Sequence, residues 1–163
     1  MRTSDVPAPR LEALVVPGIE RAVGHVRRWL GDVLGPDHPG LYDCSVCVSE
    51  LMTNALRYTD SGLGGSIRVE LLIGRERVRG EVTDDGGAAT VPRVVDAGDG
   101  LSGRGLRIVA ASSLAWGVRR RGRGFTVWFV LDTRCPREAD PAGPGRGGRP
   151  AGADAARSLR RVP

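Results

Sequence analysis

Three short groups of residues in this sequence could carry out chemistry, and the first is a carboxylate–amide pair. Glu50 and Asn54 stand four residues apart in the segment SELMTNALRYT. On a helix, residues i and i+4 lie one turn apart on the same face. An amide oxygen suits Mg²⁺, which often binds through few protein groups plus phosphates, and a neighbouring carboxylate can accept a hydroxyl proton. Taken alone, however, the pair is more typical of the solvated polar edge of an amphipathic helix.

The second group is an acidic turn, Asp84-Asp85-Gly86-Gly87, directly after the segment VRGEVT. An acid at the end of a strand, followed by glycines, places a carboxylate where backbone can approach a ligand closely. Such a carboxylate can accept a hydrogen bond from the exocyclic amino group of adenine. An ordinary Asp-Gly turn explains these four residues at least as well when they are considered alone.

The third group is the run Gly103-Arg104-Gly105-Leu106, which leads into the apolar segment RIVAAS. Glycines at the start of a helix let backbone N–H groups and the helix dipole face an anion. The alternative is a flexible helix entry with no ligand. The run is too short for a dinucleotide fingerprint, because no strand immediately precedes it and no third glycine follows.

Hydrophobic periodicity predicts the elements that must position these groups. Apolar residues recur every three or four positions in three segments, and they alternate with polar residues in the remaining ones. The predicted order is strand, two helices, two strands, a long loop over 84–103, a helix and two strands. These elements predict an α/β two-layer fold, in which helices cover one face of a mixed, mostly antiparallel sheet. The ranges are strand 11–16, helices 17–34 and 41–58, strands 66–73 and 78–83, helix 104–112, and strands 114–119 and 124–131.

Charge and composition divide the chain into a flexible N-terminus at 1–10, a folded domain at 11–133 and a tail at 134–163. The tail is rich in Arg, Gly and Pro and is predicted to be disordered. It carries seven arginines and three acids, whereas residues 1–133 carry 17 arginines and 16 acids. The positive net charge therefore lies mainly in the tail, which makes a nucleic-acid partner for the domain an unfavoured interpretation.

Several classes of protein are excluded or disfavoured by what the sequence lacks. All 24 basic residues are arginine, so a P-loop NTPase, which needs a lysine on the phosphates, is excluded. No secretion signal or long apolar run is found, so we expect a cytoplasmic protein with no membrane segment. The three cysteines are expected to be free thiols. Cys44 and Cys47 form a CxxC without a second pair and are interpreted as two small core residues.

Together the three groups occur in an order that resembles one family, the Bergerat-fold or histidine kinase-like ATPase domains. ELMTNALRYT resembles the family's N box, VTDDGG its first glycine box and GRGLRIV its second, while GFTVWFVL resembles its closing strand. The resemblance covers roughly residues 11–131. It is nearest to anti-sigma-factor serine kinases of the RsbW and SpoIIAB type and their stand-alone actinobacterial relatives.

The resemblance implies a role for each matching residue. It makes Glu50 the catalytic base and Asn54 the Mg²⁺ ligand, with ATP as substrate or ligand. The nucleotide-binding residues that it implies are Asn54, Arg57 near a phosphate, Tyr58 beside the adenine, Asp84 on the adenine amino group, Gly86, the phosphate-lining Gly103, Arg104, Gly105 and Leu106, and Thr126 near the adenine.

This chain departs from the family's pattern at two points. The first glycine box usually reads D-x-G-x-G, but Ala88 stands at its last position, so the grip of the following loop on phosphate is expected to differ. A histidine-kinase reading does not fit, because His25 and His38 are the only histidines and neither lies in a phospho-acceptor box.

The resemblance therefore implies a Mg-ATP-binding regulatory protein that phosphorylates an anti-sigma-factor antagonist on serine or threonine. The same protein could sequester a sigma factor, and its relatives often form homodimers. The alternative from another class is an ATP-dependent protein-interaction module without kinase activity. A third reading is a nucleic-acid binder that uses the arginine-rich tail.

Overall fold

The computed structural model describes residues 8–87, 92 and 104–134, which form five strands and three α-helices. The predicted disorder of the tail after Arg134 and most of the predicted flexible N-terminus lie outside these residues. A short 3₁₀ helix, Asp60–Leu63, lies between the helix predicted over 41–58 and the strand predicted over 66–73. The elements are β1 (Arg10–Pro17), α1 (Arg21–Leu34), α2 (Leu41–Tyr58), β2 (Ser66–Ile73), β3 (Arg77–Thr83), α3 (Arg104–Ser112), β4 (Ala115–Arg121) and β5 (Gly124–Asp132).

The sheet of the described residues has the order β1-β2-β3-β5-β4, and every neighbouring pair is antiparallel. The predicted two-layer α/β class is confirmed, with helices packed on one face of the sheet. The sheet is wholly antiparallel rather than mixed. Two of its pairs, β2–β3 and β4–β5, are tight hairpins, which join only antiparallel strands. The connection through α1 and α2 joins the antiparallel neighbours β1 and β2. The connection through α3 joins β3 to β4, which run parallel to each other but are separated by β5, so the sheet contains no parallel pair.

Alternation along the strands separates a buried face of the sheet from an open one. In β2, Ile67, Val69 and Leu71 are fully buried against the helices, while the residues between them point to the other side. On β3, Gly80 lies opposite Phe129, and a Cβ at Gly80 would come within 2.2 Å of the phenyl ring. This close approach lets the largest core side chain fill the centre of the sheet.

Helix α2 buries a broad face against the sheet. Cys44, Cys47 and Met52 are completely buried, whereas Tyr58 at the end of the helix is 51% exposed. Both Cys44 and Cys47 are core residues, as interpreted from their spacing. Burial raises the pKa of each thiol to about 12, so they behave as small apolar side chains rather than nucleophiles.

Helix α1 begins at Arg21, four residues later than predicted. Pro17 is still part of β1, where it lies opposite Ser66 of β2. The amide of Gly18 then donates to the carbonyl of Gly65 at 2.9 Å, which keeps the chain beside the sheet until the helix starts. None of the three helices in the described ranges combines the length and the hydropathy that crossing a membrane requires.

Candidate nucleotide site

The first turn of α3 lies directly against the polar row of α2. A Cβ built on Gly105 would stand 2.9 Å from Oε2 of Glu50 and 3.2 Å from Nδ2 of Asn54. Gly105 is itself buried. Because an ordinary side chain would overlap the carboxylate, glycine is what permits this close packing. Two groups more than 50 residues apart in the sequence, predicted as one site, are thus brought together.

The row of α2 residues that contains Glu50 and Asn54 becomes more exposed toward the C-terminal end of the helix. Cys47 is fully buried, Glu50 and Asn54 are half-buried, and Arg57 is exposed. The side-chain hydrogen bonds of α2 in the described residues belong to other positions, which are Ser49, Thr53 and Thr59. The carboxylate and the amide are therefore both accessible and free to contact a ligand.

Asp84 is held at the end of β3 by backbone amides of two segments. Its Oδ1 accepts hydrogen bonds from the N–H of Gly86 at 2.8 Å and of Phe125 at 3.1 Å. Its own N–H donates to the carbonyl of Phe125 at 3.0 Å. A Cβ on Gly124 would come within 2.5 Å of the same Oδ1. These bonds fix the half-buried carboxylate through one oxygen and leave Oδ2 for another partner.

The backbone conformation after Asp84 and Asp85 requires glycine at the next two positions. Gly86 and Gly87 have φ of 89° and 79°, in the region that side chains with a Cβ rarely adopt. The carbonyl of Gly86 accepts from the N–H of Asp60 at 2.7 Å, and a Cβ on Gly87 would meet the Asp60 carboxylate at 2.1 Å. The turn that carries Asp84 therefore packs on the start of the 3₁₀ helix Asp60–Leu63, which directly follows α2, the helix that carries Glu50 and Asn54.

Asp85 ties this turn to the start of β2. Its Oδ2 accepts from the N–H of Ser66 at 2.5 Å and from the Ser66 hydroxyl at 3.1 Å. Its N–H donates to the buried Ser61 hydroxyl at 3.0 Å. The two neighbouring acids therefore differ in their surroundings. Asp85 is bonded to Ser61 and Ser66, whereas Asp84 uses only Oδ1 within the described residues and keeps Oδ2 for a ligand. Sequence reasoning missed Asp85, Gly124 and Phe125 as parts of this arrangement.

Thr126 lies on the face of the sheet that the helices do not cover. It is opposite Thr83 in the register, and the two hydroxyls are 2.8 Å apart. Because side chains alternate along a strand, Thr83 and the next residue, Asp84, point to opposite faces. Thr126 is completely buried, and its hydroxyl bonds to that of Thr83; its place near the adenine stays a prediction.

The remaining predicted residues differ in how far they can reach a ligand. Leu106 is only 4% exposed and belongs to the core, so its side chain packs and only its backbone can face the site. Arg57, Tyr58 and Arg104 are exposed at the ends of α2 and α3. Gly103 and Ala88 lie outside the described residues.

The donor set suits a hard divalent cation shared with phosphates. Asn54 offers an amide oxygen as a ligand, and no group of three or more His, Cys, Asp or Glu gathers in the described ranges to form an all-protein metal cage. Mg²⁺ commonly binds through one or two protein oxygens plus phosphate oxygens. The N-terminal end of α3 beside Gly105 adds the positive end of a helix dipole, which favours an anion at this place.

Comparison with known proteins places this geometry in a family. No protein of curated function matches the chain. A solved structure described as "the RsbU and RsbW domains of Rv1364c from Mycobacterium tuberculosis" shares the fold, with a TM-score of 0.55 and 22% identity over 76% of this chain. This chain covers 32% of that one, about a third of its length. Residues 17–131 match the family described as histidine kinase-like ATPase domain; the chain belongs to that family and is an ATP-binding module of it.

Proposed function

We propose that this protein binds Mg-ATP between α2, α3 and the turn after β3, and that it phosphorylates an anti-sigma-factor antagonist on serine or threonine. The observation that carries the proposal is the contact of Gly105 with Glu50 and Asn54, because it places a carboxylate, an amide and a helix N-terminus together. The RsbW domain named in the description of the similar structure supports the class of partner.

Each group of the site has a chemical task in this proposal. Asp84 accepts a hydrogen bond from the adenine amino group through Oδ2, since Oδ1 is already occupied by two amides. Asn54 would hold Mg²⁺, and the cation would neutralise phosphate charge. The backbone at the start of α3 faces the phosphates, and the exposed Arg104 and Arg57 add positive charge beside them.

Glu50 is proposed to be the base that takes the proton of the attacking hydroxyl. Its carboxylate lies half-buried beside the first turn of α3, close to where the phosphates would bind, and it has no competing ion pair among the described residues. A general base of this kind commonly contributes about 10²–10⁴-fold to the rate. An interaction module without kinase activity would need Asn54 and Asp84 to bind ATP, but it would not need the Glu50 carboxylate.

Two variants test the proposal with labelled ATP and purified candidate antagonists. Glu50→Gln keeps the shape of the side chain and removes its charge, so transfer should fall by about 10²–10⁴-fold while nucleotide binding changes little. Asn54→Ala removes the proposed metal ligand and should lower both Mg²⁺-dependent nucleotide binding and transfer.

The outcomes separate the kinase from the interaction module. A parent protein that binds ATP, recruits a partner only in its presence and transfers no phosphate would be an interaction module. A parent that transfers phosphate, with a Glu50→Gln variant equally active, would refute the catalytic role of Glu50 and leave the family assignment intact. Pull-down with and without ATP, followed by identification of phosphorylated proteins, would name the partner.

A further inference from the structure

The loop after α2 contains a buried hydroxyl that has no task in the function proposed above. Ser61 lies in the 3₁₀ helix Asp60–Leu63 and is completely buried. Its hydroxyl accepts a hydrogen bond from the N–H of Asp85 at 3.0 Å. Buried polar groups are generally hydrogen-bonded, because leaving one unpaired is costly. The group that this hydroxyl satisfies is the backbone directly after Asp84, the proposed acceptor of the adenine amino group.

Ser61 is itself held in place from two sides. Its N–H donates to the Thr59 hydroxyl at 3.2 Å, and that hydroxyl donates to the carbonyl of Ala55, in the last turn of α2, at 2.7 Å. On the other side, a Cβ on Gly18 would meet the Ser61 carbonyl oxygen at 1.7 Å, so the two backbones are in close contact. The position of the Ser61 hydroxyl is therefore tied to the C-terminal end of α2.

Asp85 joins this loop to the start of β2. Its N–H is bonded to Ser61, and its Oδ2 accepts from the N–H of Ser66 at 2.5 Å and from the Ser66 hydroxyl at 3.1 Å. A Cβ on Gly65 would stand 2.5 Å from the same oxygen, so the chain passes close to the carboxylate. Asp85 is otherwise exposed, and its side chain is used to hold backbone rather than to fill the core.

The bonds of Asp84 itself do not fix its position relative to α2. Among the described residues they lead to Gly86 and to Phe125 of β5. The link to the α2 side is made by the bond from Asp85 to Ser61 and by a backbone bond, from the N–H of Asp60 to the carbonyl of Gly86 at 2.7 Å. A nucleotide bound at both ends depends on this link, because a hydrogen bond weakens steeply as its angle worsens.

We infer that Ser61 and Asp85 are positioning residues that set the selectivity of the site for a 6-aminopurine. The inference rests on the function proposed above. The two residues hold Asp84 at the distance from α2 at which its Oδ2 accepts from the amino group while the phosphates lie beside Asn54 and Gly105. A 6-oxopurine would present an acceptor oxygen at the same place, and a carboxylate has no proton to donate to it.

The test compares ATP with purine riboside 5′-triphosphate, which has a hydrogen atom in place of the amino group. The ratio of their Kd values, measured by titration calorimetry with Mg²⁺ and the full-length protein, isolates the contribution of that group. Ser61→Ala removes the acceptor of the Asp85 N–H, Asp85→Ala removes the acceptor at Ser66, and Asp85→Asn keeps an oxygen there. Ser113→Ala is the matched control, because it removes another hydroxyl, which donates to the carbonyl of Val109 at 2.7 Å at the end of α3.

The parent protein should prefer ATP by about tenfold or more, as expected for a hydrogen bond to a charged group. Ser61→Ala and Asp85→Ala should each reduce this preference by about fivefold or more, because a misaligned hydrogen bond is weak. Their affinity for the purine riboside triphosphate should change by less than about twofold, since its phosphates bind away from the altered contact. Asp85→Asn should lie between Asp85→Ala and the parent, and Ser113→Ala should equal the parent.

A double variant shows whether Ser61 acts through Asp84. Asp84→Asn should abolish the preference for ATP, because its amide N–H groups would face the amino group of the ligand. Ser61→Ala combined with Asp84→Asn should then have the same preference as Asp84→Asn alone, since coupled residues are not additive.

Three results in a parent that prefers ATP would overturn the inference and leave the proposed function standing. They are an unchanged preference in Ser61→Ala and Asp85→Ala, an equal loss of affinity for both nucleotides in these variants, and an additive effect in the double variant. If circular dichroism shows that Ser61→Ala does not fold, Asp85→Ala decides, because its side chain is exposed. A parent that binds both nucleotides equally would remove Asp84 from the amino group, and one that binds neither would refute the proposed function; each would overturn the inference too.

Discussion

Substitution of Gly105 by alanine gives the sharpest test of the proposed nucleotide site. The added Cβ would stand 2.9 Å from Oε2 of Glu50 and 3.2 Å from Nδ2 of Asn54. Both distances are shorter than the separation of about 3.5 Å to which carbon atoms and polar atoms normally approach. Both side chains would have to move by some tenths of an ångström. The substitution therefore displaces the proposed base and metal ligand without touching either of them chemically.

Gly105→Ala is expected to change the stability of the protein little and to lower phosphate transfer more strongly. Alanine within a helix is favoured over glycine by about 1 kcal/mol. Moving the end of the Glu50 side chain away from its preferred rotamer costs about 0.5–1.5 kcal/mol. The two terms nearly cancel, so the melting temperature should change by only a few degrees. Transfer should fall more steeply than binding, because the rate depends on the placement of the base; a misplacement by about 1 Å can cost about 10²-fold in rate, and this is the upper limit for the smaller shift expected here.

Gly24→Ala is the matched control for the helix term. Gly24 lies within α1, and a Cβ there would meet nothing within 4 Å. That variant should gain about 1 kcal/mol of stability and should bind ATP like the parent protein. The measurements are thermal unfolding by circular dichroism, titration calorimetry with ATP in the presence of Mg²⁺, and single-turnover transfer from labelled ATP.

The reasoning would be refuted by a Gly105→Ala protein that binds ATP and transfers phosphate as the parent does. In that case the contact of α3 with Glu50 and Asn54 would be packing alone. A large loss of stability in Gly105→Ala, with no loss in Gly24→Ala, would show instead that α3 cannot yield at this contact.

Three further outcomes are expected. Asp84→Asn should lower nucleotide affinity by about 1–3 kcal/mol with little change in melting temperature, because its amide oxygen can still accept from the N–H groups of Gly86 and Phe125; undiminished affinity in calorimetry would remove Asp84 from the adenine site. Deleting residues 135–163 should leave the melting temperature nearly unchanged, since their composition cannot bury a core, and a drop of several degrees would show that they pack on the domain. The hydrogen bond from Arg68 lowers the pKa of Glu70 below its ordinary 4.5, so the stability it contributes is present above that value and is lost as the pH falls through the lowered pKa; Glu70→Gln should flatten the acid side of a melting-temperature profile, and parallel profiles would contradict this.

Local sequence patterns were sufficient for most of the elements. Helix α2 at Leu41–Tyr58, strand β2 at Ser66–Ile73 and helix α3 at Arg104–Ser112 have the bounds that periodicity predicted. In each of these segments the spacing of the apolar residues is enough to tell a helix from a strand, and glycines or loops mark the ends. The start of α1 was predicted four residues early, because Pro17 suits a first helical turn as well as the end of a strand. Its pairing with Ser66 decided the matter.

The candidate site itself was visible in the sequence as three separate groups, each with an ordinary alternative. Spacing placed Glu50 and Asn54 on one face of a helix, since a helix of known phase determines which residues are neighbours. It could not show that Gly105 would touch them, because that contact depends on how two helices pack on the sheet. The order of the three groups suggested the family, and the match over residues 17–131 established it.

Contacts between distant strands decided the rest. Asp84 is fixed by Phe125, 41 residues later, and this bond exists only in the particular register of β3 and β5. The same register puts Thr126 opposite Thr83 on the open face. Which side chain a strand presents to a site depends on its phase relative to its neighbours, and a shift of one residue exchanges the two faces. A sequence shows the alternation of polar and apolar residues along each strand, but only the assembled sheet determines the register in which two strands pair.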